Sequence, residues 1–265
     1  MSVPLVQASQ ASGRMSGAAA RETSSISAAL CCLNERGNLP VVVERLNQLG
    51  DRLDGRLREV IVVDGGSTDG SWEWLAQRAK EWPALKPLRQ QPPAGYGSGY
   101  RQSILACSGE LILTCDADLN YDVRDAERML ALLSSADLVV ANPLLGGAAA
   151  GLGASRMVPT RGVSLLHRLA LAGQPRRGTV YTPILRVGRA AVFRDALPSS
   201  DDFGASAEFM LRVYLTTAAR VREVPVSVAP RGAGRSKLRK GRTTLTHLRL
   251  FARALAFRAG LRAAL

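Results

Sequence analysis

Histidine is scarce in this chain: His167 and His247 are the only two, and neither lies in a motif. Little is left for acid–base chemistry built on imidazole. Cysteine is scarce as well, and Cys31, Cys32, Cys107 and Cys115 sit in apolar contexts without metal or redox spacing. Buried, reduced thiols in a cytosolic protein are expected. No apolar run approaches the roughly eighteen residues that a membrane span needs. Residues 1–25 have no apolar signal core, and their Ala, Ser and Gly content predicts a disordered leader. Acidic residues stop at Glu223: Val224 to Leu265 holds ten Arg or Lys and no Asp or Glu. No basic–aromatic or zinc-finger pattern accompanies that charge, so nucleic acid is not an expected partner.

A chain of 265 residues, 46% of them hydrophobic, fits one large α/β domain. Its net charge of +13 asks for an anionic partner, either a phosphorylated substrate or a membrane surface. Short apolar runs alternate with amphipathic stretches. The pattern predicts strands at 27–33, 59–63, 85–90, 111–115 and 138–141, and helices at 38–49, 71–82, 97–107 and 123–133. Continuous apolar strands imply a mostly parallel sheet covered by helices on both faces. Beyond a Gly/Ala-rich loop at 146–153 the pattern is less regular. It predicts helices at 158–172 and 208–218, one or two strands within 179–193, and a strand at 222–228.

In such sheets chemistry gathers at the carboxyl ends of the strands, and the polar segments of this chain stand there. Asp116-Ala117-Asp118 follows the run 111–115. A continuing strand sends residues 116 and 118 to one side and Ala117 to the other. Two hard oxygen ligands suit Mg²⁺ or Mn²⁺, with coordination positions left for phosphate oxygens. Asn34 and Glu35, after the first strand, can ring a nucleotide base, while Asn38 can cap the next helix. Asp64 opens Asp-Gly-Gly-Ser-Thr-Asp-Gly, placed to accept ribose hydroxyls; the alternative is a tight turn with Asp69 as helix cap. Gly95 and Gly97 lead into a helix whose amides can face phosphate.

Taken in order, these segments resemble the inverting family 2 nucleotide-sugar glycosyltransferases of the GT-A fold. Within that family the likeness is to the dolichyl- and polyprenyl-phosphate mannosyltransferases and their glucosyl relatives. Glu223-Val224-Pro225, Arg231 and Gly234-Arg235-Ser236-Lys237 extend it, so that it spans residues 26–242. The resemblance implies that Asp64 holds the nucleoside of a nucleotide-sugar donor. It implies that Asp116 and Asp118 hold metal and diphosphate, with Asn120 a further metal ligand. Arg231, Ser236 and Lys237 then lie in a mobile basic loop, 231–242, that closes over phosphates, with Asp118 and Arg231 at the reacting end. Arg156, Arg168 and Glu208 match other charged positions of the family. Three departures stand out: Gly65 for a second acidic residue, Pro143 for an arginine, and Arg177-Gly178-Thr179-Val180-Tyr181-Thr182 for Asp-x-Thr-x-Gly-Phe.

A lipid-phosphate acceptor is anionic at neutral pH, so positioning and positive charge take the place of a general base. Residues 243–265 read as a basic amphipathic helix with an apolar stripe of Leu250, Ala254, Phe257, Leu261 and Leu265. Such a helix can lie in an anionic membrane interface or pack on the domain. The expectation is therefore metal-dependent hexosyl transfer to a polyprenyl phosphate by a peripheral protein at the cytoplasmic membrane face. A soluble sugar or protein acceptor and a non-enzymatic nucleotide-sugar-binding subunit stand as the alternatives.

Overall fold

A computed structural model describes residues 24–145, 154–229, 240–261 and 265. The apolar runs form strands β1 (Ile26–Cys32), β2 (Leu57–Asp64), β3 (Leu85–Arg89), β4 (Leu111–Thr114) and β5 (Leu138–Asn142). Helices α1 (Leu39–Arg52), α2 (Ser71–Glu81), α3 (Tyr96–Ala106) and α4 (Asp125–Ala131) connect them. The second half adds α5 (Ala154–Ala170), β6 (Arg186–Arg189), α6 (Ala190–Asp195), α7 (Ala205–Thr216), β7 (Val221–Pro225) and α8 (Lys240–Arg258).

The strands form one sheet in the order β3-β2-β1-β4-β6-β5-β7. Neighbours are parallel except across β6, which runs antiparallel to both β4 and β5. Side chains alternate between two buried faces. Ala28, Leu30, Val60 and Val62 pack with Leu39, Val42 and Leu46 of α1. Ala29, Ile61, Val63 and Ile112 face Tyr100 and Ile104 of α3 and Phe209 and Met210 of α7. Leu39, Val42, Val43, Leu46 and Leu49 recur at helical spacing, and Pro40 stands in the first turn, where its missing N–H costs nothing. Leu46 is fully buried, so its truncation to alanine costs about 2–5 kcal/mol.

At the edge away from the strand exits, Glu59 accepts from Ser27 Oγ, Lys86 Nζ and the Ser108 N–H, each at 2.6 Å. Burial alone would raise its pKa, but these donors hold the carboxyl down at about 2. This ionised knot ties three segments together. Ser24 and Ser25, read from composition as leader, belong to the domain instead. Ser24 is buried, and the Ser25 N–H donates to Glu110 Oε2 at 3.1 Å. The rest of that leader and the 146–153 loop lie outside the described residues.

The C-terminal helix is shorter than its sequence reading. Leu250, Ala254 and Leu265, three members of the apolar stripe, are buried in the α3/α7 face of the core. The helix ends at Arg258, and Gly260 turns the chain with φ +71°, leaving Leu261 exposed. Arg253 reaches Ser199 Oγ at 3.0 Å, and Arg258 donates to the carbonyl of Ala170 at 2.6 Å. Packing on the domain wins for this stripe. No helix among the described residues is long and apolar enough to cross a membrane.

Candidate active site

Because β1, β2 and β4 are parallel, their carboxyl ends lie at one edge, with Cys32 opposite Asp64 and Ala29 opposite Thr114. The loops leaving that edge are stitched together. Asn34, in the left-handed region at φ +51°, accepts the Thr68 N–H at 2.7 Å, and its own N–H donates to Ser67 Oγ at 2.8 Å. The Glu35 N–H donates to Ser71 Oγ at 3.0 Å, and the Arg36 N–H to Asp69 Oδ2 at 3.0 Å. Asp69 Oδ1 accepts the Ser71 N–H at 3.0 Å, so Asp69 closes the start of α2 from one residue before Gly70. Burial opposes ionisation of Asp69, yet the donors from Ser71 and Arg36 lower its pKa. Asn38 stands at the start of α1 but does not cap it; its amide donates to the buried Glu35 carboxylate at 2.7 Å.

Asp64 is fully buried. It accepts from the N–H groups of Gly66 at 3.3 Å and Ser67 at 3.2 Å, and from Arg89 at 3.2 Å. Arg89 in turn lies 4.3 Å over the Trp72 ring, a cation–π contact that fixes the guanidinium at the rim. Gly65, one of the three departures, has the Gln90 side chain 3.3 Å from where a Cβ would stand.

The glycines of the third segment serve the protein's own backbone. A Cβ on Gly97 would lie 2.0 Å from the Ser200 carbonyl oxygen, and one on Gly95 2.7 Å from that of Asp201. The Gly97 N–H donates to the Asp201 carbonyl at 2.8 Å, so this amide faces a peptide carbonyl and the phosphate assignment of Gly97 is corrected. Arg101 clamps the same stretch through the carbonyls of Pro198 and Ser200 and the Asp201 carboxylate. Phe203 stacks on Tyr96, the first residue of α3, with centroids 5.0 Å apart and planes 14° apart.

Asp116 and Asp118 flank the buried Ala117 and remain partly exposed themselves, although β4 ends two residues earlier. The alternation expected of a strand survives into the turn. Burial and then Asp116 raise the pKa of Tyr96 well above its usual value, and the same two causes push Cys31 up to about 12. Asp116 lies two residues beyond the Ala29–Thr114 pair, and Cys31, two residues beyond Ala29, has its Sγ 3.3 Å from where a Cβ on Gly99 of α3 would stand, so Asp116 belongs to the corner where β1 exits and α3 starts. Leu119 takes φ +65°, which folds Asn120 back so that its N–H donates to Asp118 Oδ1 at 3.1 Å and its side-chain amide to Oδ2. Among the described residues no cluster of three His, Cys, Asp or Glu forms. Two part-exposed carboxylates fit a hard divalent cation that completes its shell with substrate oxygens and water.

Arg231, Ser236 and Lys237 lie outside the described residues, as do the whole 231–239 part of the predicted basic loop and the side chain of Arg156. The described chain before them ends beside the carboxylate pair: the Ala229 N–H donates to the Asn120 carbonyl at 2.9 Å, and Val228 bridges Tyr121.

Arg186 escapes sequence reasoning, as do the partners of Glu223 and Glu208. Glu223 accepts the Thr179 N–H at 2.7 Å, the Val180 N–H at 3.2 Å and the Asn142 amide at 2.7 Å. A Cβ at Gly178 would lie 2.6 Å from Glu223 Oε1 and 2.4 Å from the Tyr214 hydroxyl. The altered signature at 177–182 thus forms a knot between β5 and β7, with Glu223 supplying a carboxylate there. Glu208, matched by resemblance alone, is fully buried and accepts the Ser199 and Ser200 N–H groups, each at 2.9 Å. Burial opposes its ionisation, and those donors lower its pKa. Arg186 is buried too, donating to the Ser206 carbonyl at 2.9 Å from 4.8 Å over Phe209. No local pattern announces these long-range partners.

Comparison with known proteins agrees with this geometry. Residues 27–195 match the family model described as Glycosyl transferase family 2. An undecaprenyl-phosphate mannosyltransferase of Micrococcus luteus is 29% identical over 216 residues, 78% of this chain and 85% of that protein. A dolichol-phosphate mannosyltransferase of Pyrococcus furiosus is 25% identical over 82% of this chain, which spans only 59% of its length. Glucosyl-3-phosphoglycerate synthase of Mycobacterium tuberculosis, solved with phosphoglyceric acid, superposes with a TM-score of 0.64 at 21% identity, covering 93% of this chain and 84% of that one. The same enzyme has been solved with Mn²⁺ and UDP-glucose, with a TM-score of 0.63, 21% identity, and coverage of 93% of this chain and 83% of that one. With the sheet, the strand-exit loops and the family match in agreement, the chain belongs to glycosyl transferase family 2 and is a glycosyltransferase of the GT-A fold.

Proposed function

We propose that this glycosyltransferase moves a hexose from a nucleotide sugar to a polyprenyl phosphate, using Mg²⁺ or Mn²⁺, at the cytoplasmic face of a membrane it touches peripherally. One observation carries the reading. Asp116 and Asp118 stand at the exit of β4, and Ala229, two positions before Arg231 in sequence, donates its N–H to the Asn120 carbonyl. This supports reading the carboxylates as holding a cation and the basic segment that follows Ala229 in sequence as binding the phosphates. The relatives named for dolichol phosphate and undecaprenyl phosphate support the acceptor, and the neighbour solved with Mn²⁺ and UDP-glucose supports the donor class and metal.

In this reading Asp116 and Asp118 hold the cation, while Asn120 orients Asp118. A bound divalent cation supplies charge neutralisation for the nucleoside diphosphate as it leaves. Arg231, Ser236 and Lys237 bind the phosphates, Asn34 and Glu35 border the base, and Gly95 lets the rim approach closely. Asp64 meets the ribose by exchanging its Arg89 contact for the ligand. The acceptor phosphate is already an anion at neutral pH, so no residue needs to remove a proton. His167 and His247 fit that economy, because they are buried against each other at 3.1 Å.

A second reading has its own support. The neighbour solved with phosphoglyceric acid is named for a soluble phosphorylated acceptor. A single panel separates the two: radiolabelled UDP-glucose and GDP-mannose, each with undecaprenyl phosphate or with 3-phosphoglycerate, with and without chelator. Label in the organic phase, lost with chelator, is the expected result. Label in a water-soluble product alone overturns the lipid acceptor, and full turnover in chelator overturns the metal.

A further inference from the structure

The turn at 199–204, between α6 and α7, is the least self-sufficient part of the site. It lines the start of α3 and carries Phe203, 39% exposed, onto the Tyr96 ring. Three bodies hold it. From α7, Glu208 gathers the N–H groups of Ser199 and Ser200. From α3, Gly97 and Arg101 bind its carbonyls. The third is α8. Thr246 Oγ1 donates to Asp202 Oδ2 at 2.6 Å, and Arg253 donates to Ser199 Oγ at 3.0 Å while lying 3.6 Å from the Glu208 carboxylate. The fit is close: a Cβ on Gly204 would stand 2.3 Å from the Thr246 methyl and 3.4 Å from Leu250.

We propose that Thr246 and Arg253 are positioning residues for transfer, through which the seating of α8 sets the place of the 199–204 turn and of Phe203 on Tyr96 at the start of α3. The inference rests on reading the β4 exit as the donor site. Asp202 joins the turn to α8. One of its oxygens closes the turn onto the Gly204 N–H at 2.8 Å, and the other is held by Thr246, more than forty positions along the chain. A shift of α8 by the breadth of one hydrogen bond takes Asp202 with it or leaves that oxygen to water. Either outcome loosens Phe203 from Tyr96. The nucleoside loops at 34–36 and 64–71 are bound to each other and to β3, so they stay as they are. The consequence is a transfer defect without a nucleotide-binding defect.

The experiment compares Thr246→Val, which keeps the shape and removes the hydroxyl, with Thr246→Ser, which restores it. Thr246→Val should speed amide exchange across 198–204 and lower kcat about tenfold, since small misplacements near reacting atoms are costly. Calorimetric affinity for UDP and for GDP should change by less than about twofold, because uniform binding is untouched. Thr246→Ser should recover most of both effects, and Arg253→Gln should reproduce them. Unchanged exchange and unchanged kcat in Thr246→Val overturn the proposal, as does equal impairment of the valine and serine variants. Faster exchange throughout α8 also counts against it, since the defect is then one of docking and not of the turn. The exchange measurement reads out whatever the donor or acceptor proves to be, so failure of the functional reading leaves this test intact.

Discussion

The edge of the sheet where β1, β2 and β4 end and the face where α5 meets α8 solve opposite problems. At the strand exits charged groups are met by the backbone amides of the exit loops: the buried Asp64 by those of Gly66 and Ser67, the exposed Asp69 by those of Arg36 and Ser71. At the α5–α8 face the buried polar groups are neutral and met across long stretches of chain: His167 with His247, Thr246 with Asp202. Charge is kept where a ligand can use it and removed where two helices must close. The contrast reaches individual carboxylates. Asp64 is fully buried and organises its own turn, whereas Asp116 and Asp118 stay partly open to a cation.

The sharpest break of that contrast is Asp118→Ala. Removing one of two hard oxygen ligands should lower turnover by at least about 10³-fold, the scale of a lost electrostatic stabiliser. The melting temperature should hold, because Asp118 is partly exposed. Wild-type activity in this variant, or in chelator, would reject the cation site. Asp64→Ala should behave the other way round. Leaving Arg89 and two amides without their acceptor should cost about 2–4 kcal/mol in urea unfolding, beside a loss of nucleotide affinity. Asp64→Asn keeps the shape and separates the two effects. If it binds nucleotide as tightly as wild type, Asp64 builds the loop and does not touch the nucleoside.

The same contrast decides what could be read from the sequence. The donor edge was legible because its parts are local: a strand, its exit residues and the next helix lie within about ten positions, and periodicity finds each. The parallel sheet followed from continuous apolar strands, and the pattern of Asp116 and Asp118 around Ala117 from strand alternation. Gly97 misled for a physical reason. Sequence shows that a close approach is needed, and cannot tell a phosphate from the carbonyl of Ser200, some hundred positions away. The apolar stripe of α8 left two partners open for a similar reason, since Leu250 and Ala254 look alike whether lipid or Phe209 covers them. Glu208, Glu223 and Arg186 needed the fold, because their partners come from other elements.

Acid should separate the two regions further. Burial, and next the neighbouring His247, lower the pKa of His167 to about 3, and burial lowers that of His247 against the pull of Asp202. A depressed folded pKa means that the unfolded chain takes up protons first. Stability is therefore full above the ordinary histidine value near 6.5 and declines as pH falls toward the folded value. For His167 alone the loss at pH 5 is about 2 kcal/mol. Thermal melts at pH 7.5 and pH 5 should show it, and His167→Gln should flatten the slope. An unchanged slope in that variant assigns the acid sensitivity elsewhere. Asp69 at the donor edge keeps its charge through this window, because the donors from Ser71 and Arg36 lower its pKa against the effect of burial.

The smallest effect concerns the outer side of the α5–α8 face. With Leu250 and Ala254 committed to the core, the apolar residues left exposed on α8 are Leu245, Leu248 and Leu255, beside exposed Arg249. On α5, Val158, Leu165 and Leu169 are exposed near Arg161 and Arg168. If an anionic bilayer is the partner, these side chains enter it while the arginines stay at headgroup level. Attraction to the surface contributes roughly 1 kcal/mol per cation and is screened over about 8 Å at physiological ionic strength. Flotation with phosphatidylglycerol vesicles should therefore exceed that with phosphatidylcholine and weaken with salt. Leu245→Ser with Leu248→Ser should reduce the salt-resistant part by about threefold to tenfold, since partial burial of the pair at an interface contributes on the order of 1 kcal/mol in total. The pair is exposed, so folding and nucleotide affinity should stay as in wild type. Equal flotation of the double variant and wild type would remove α8 from the membrane contact, and the matching pair on α5, Leu165→Ser with Leu169→Ser, then decides whether either helix faces lipid.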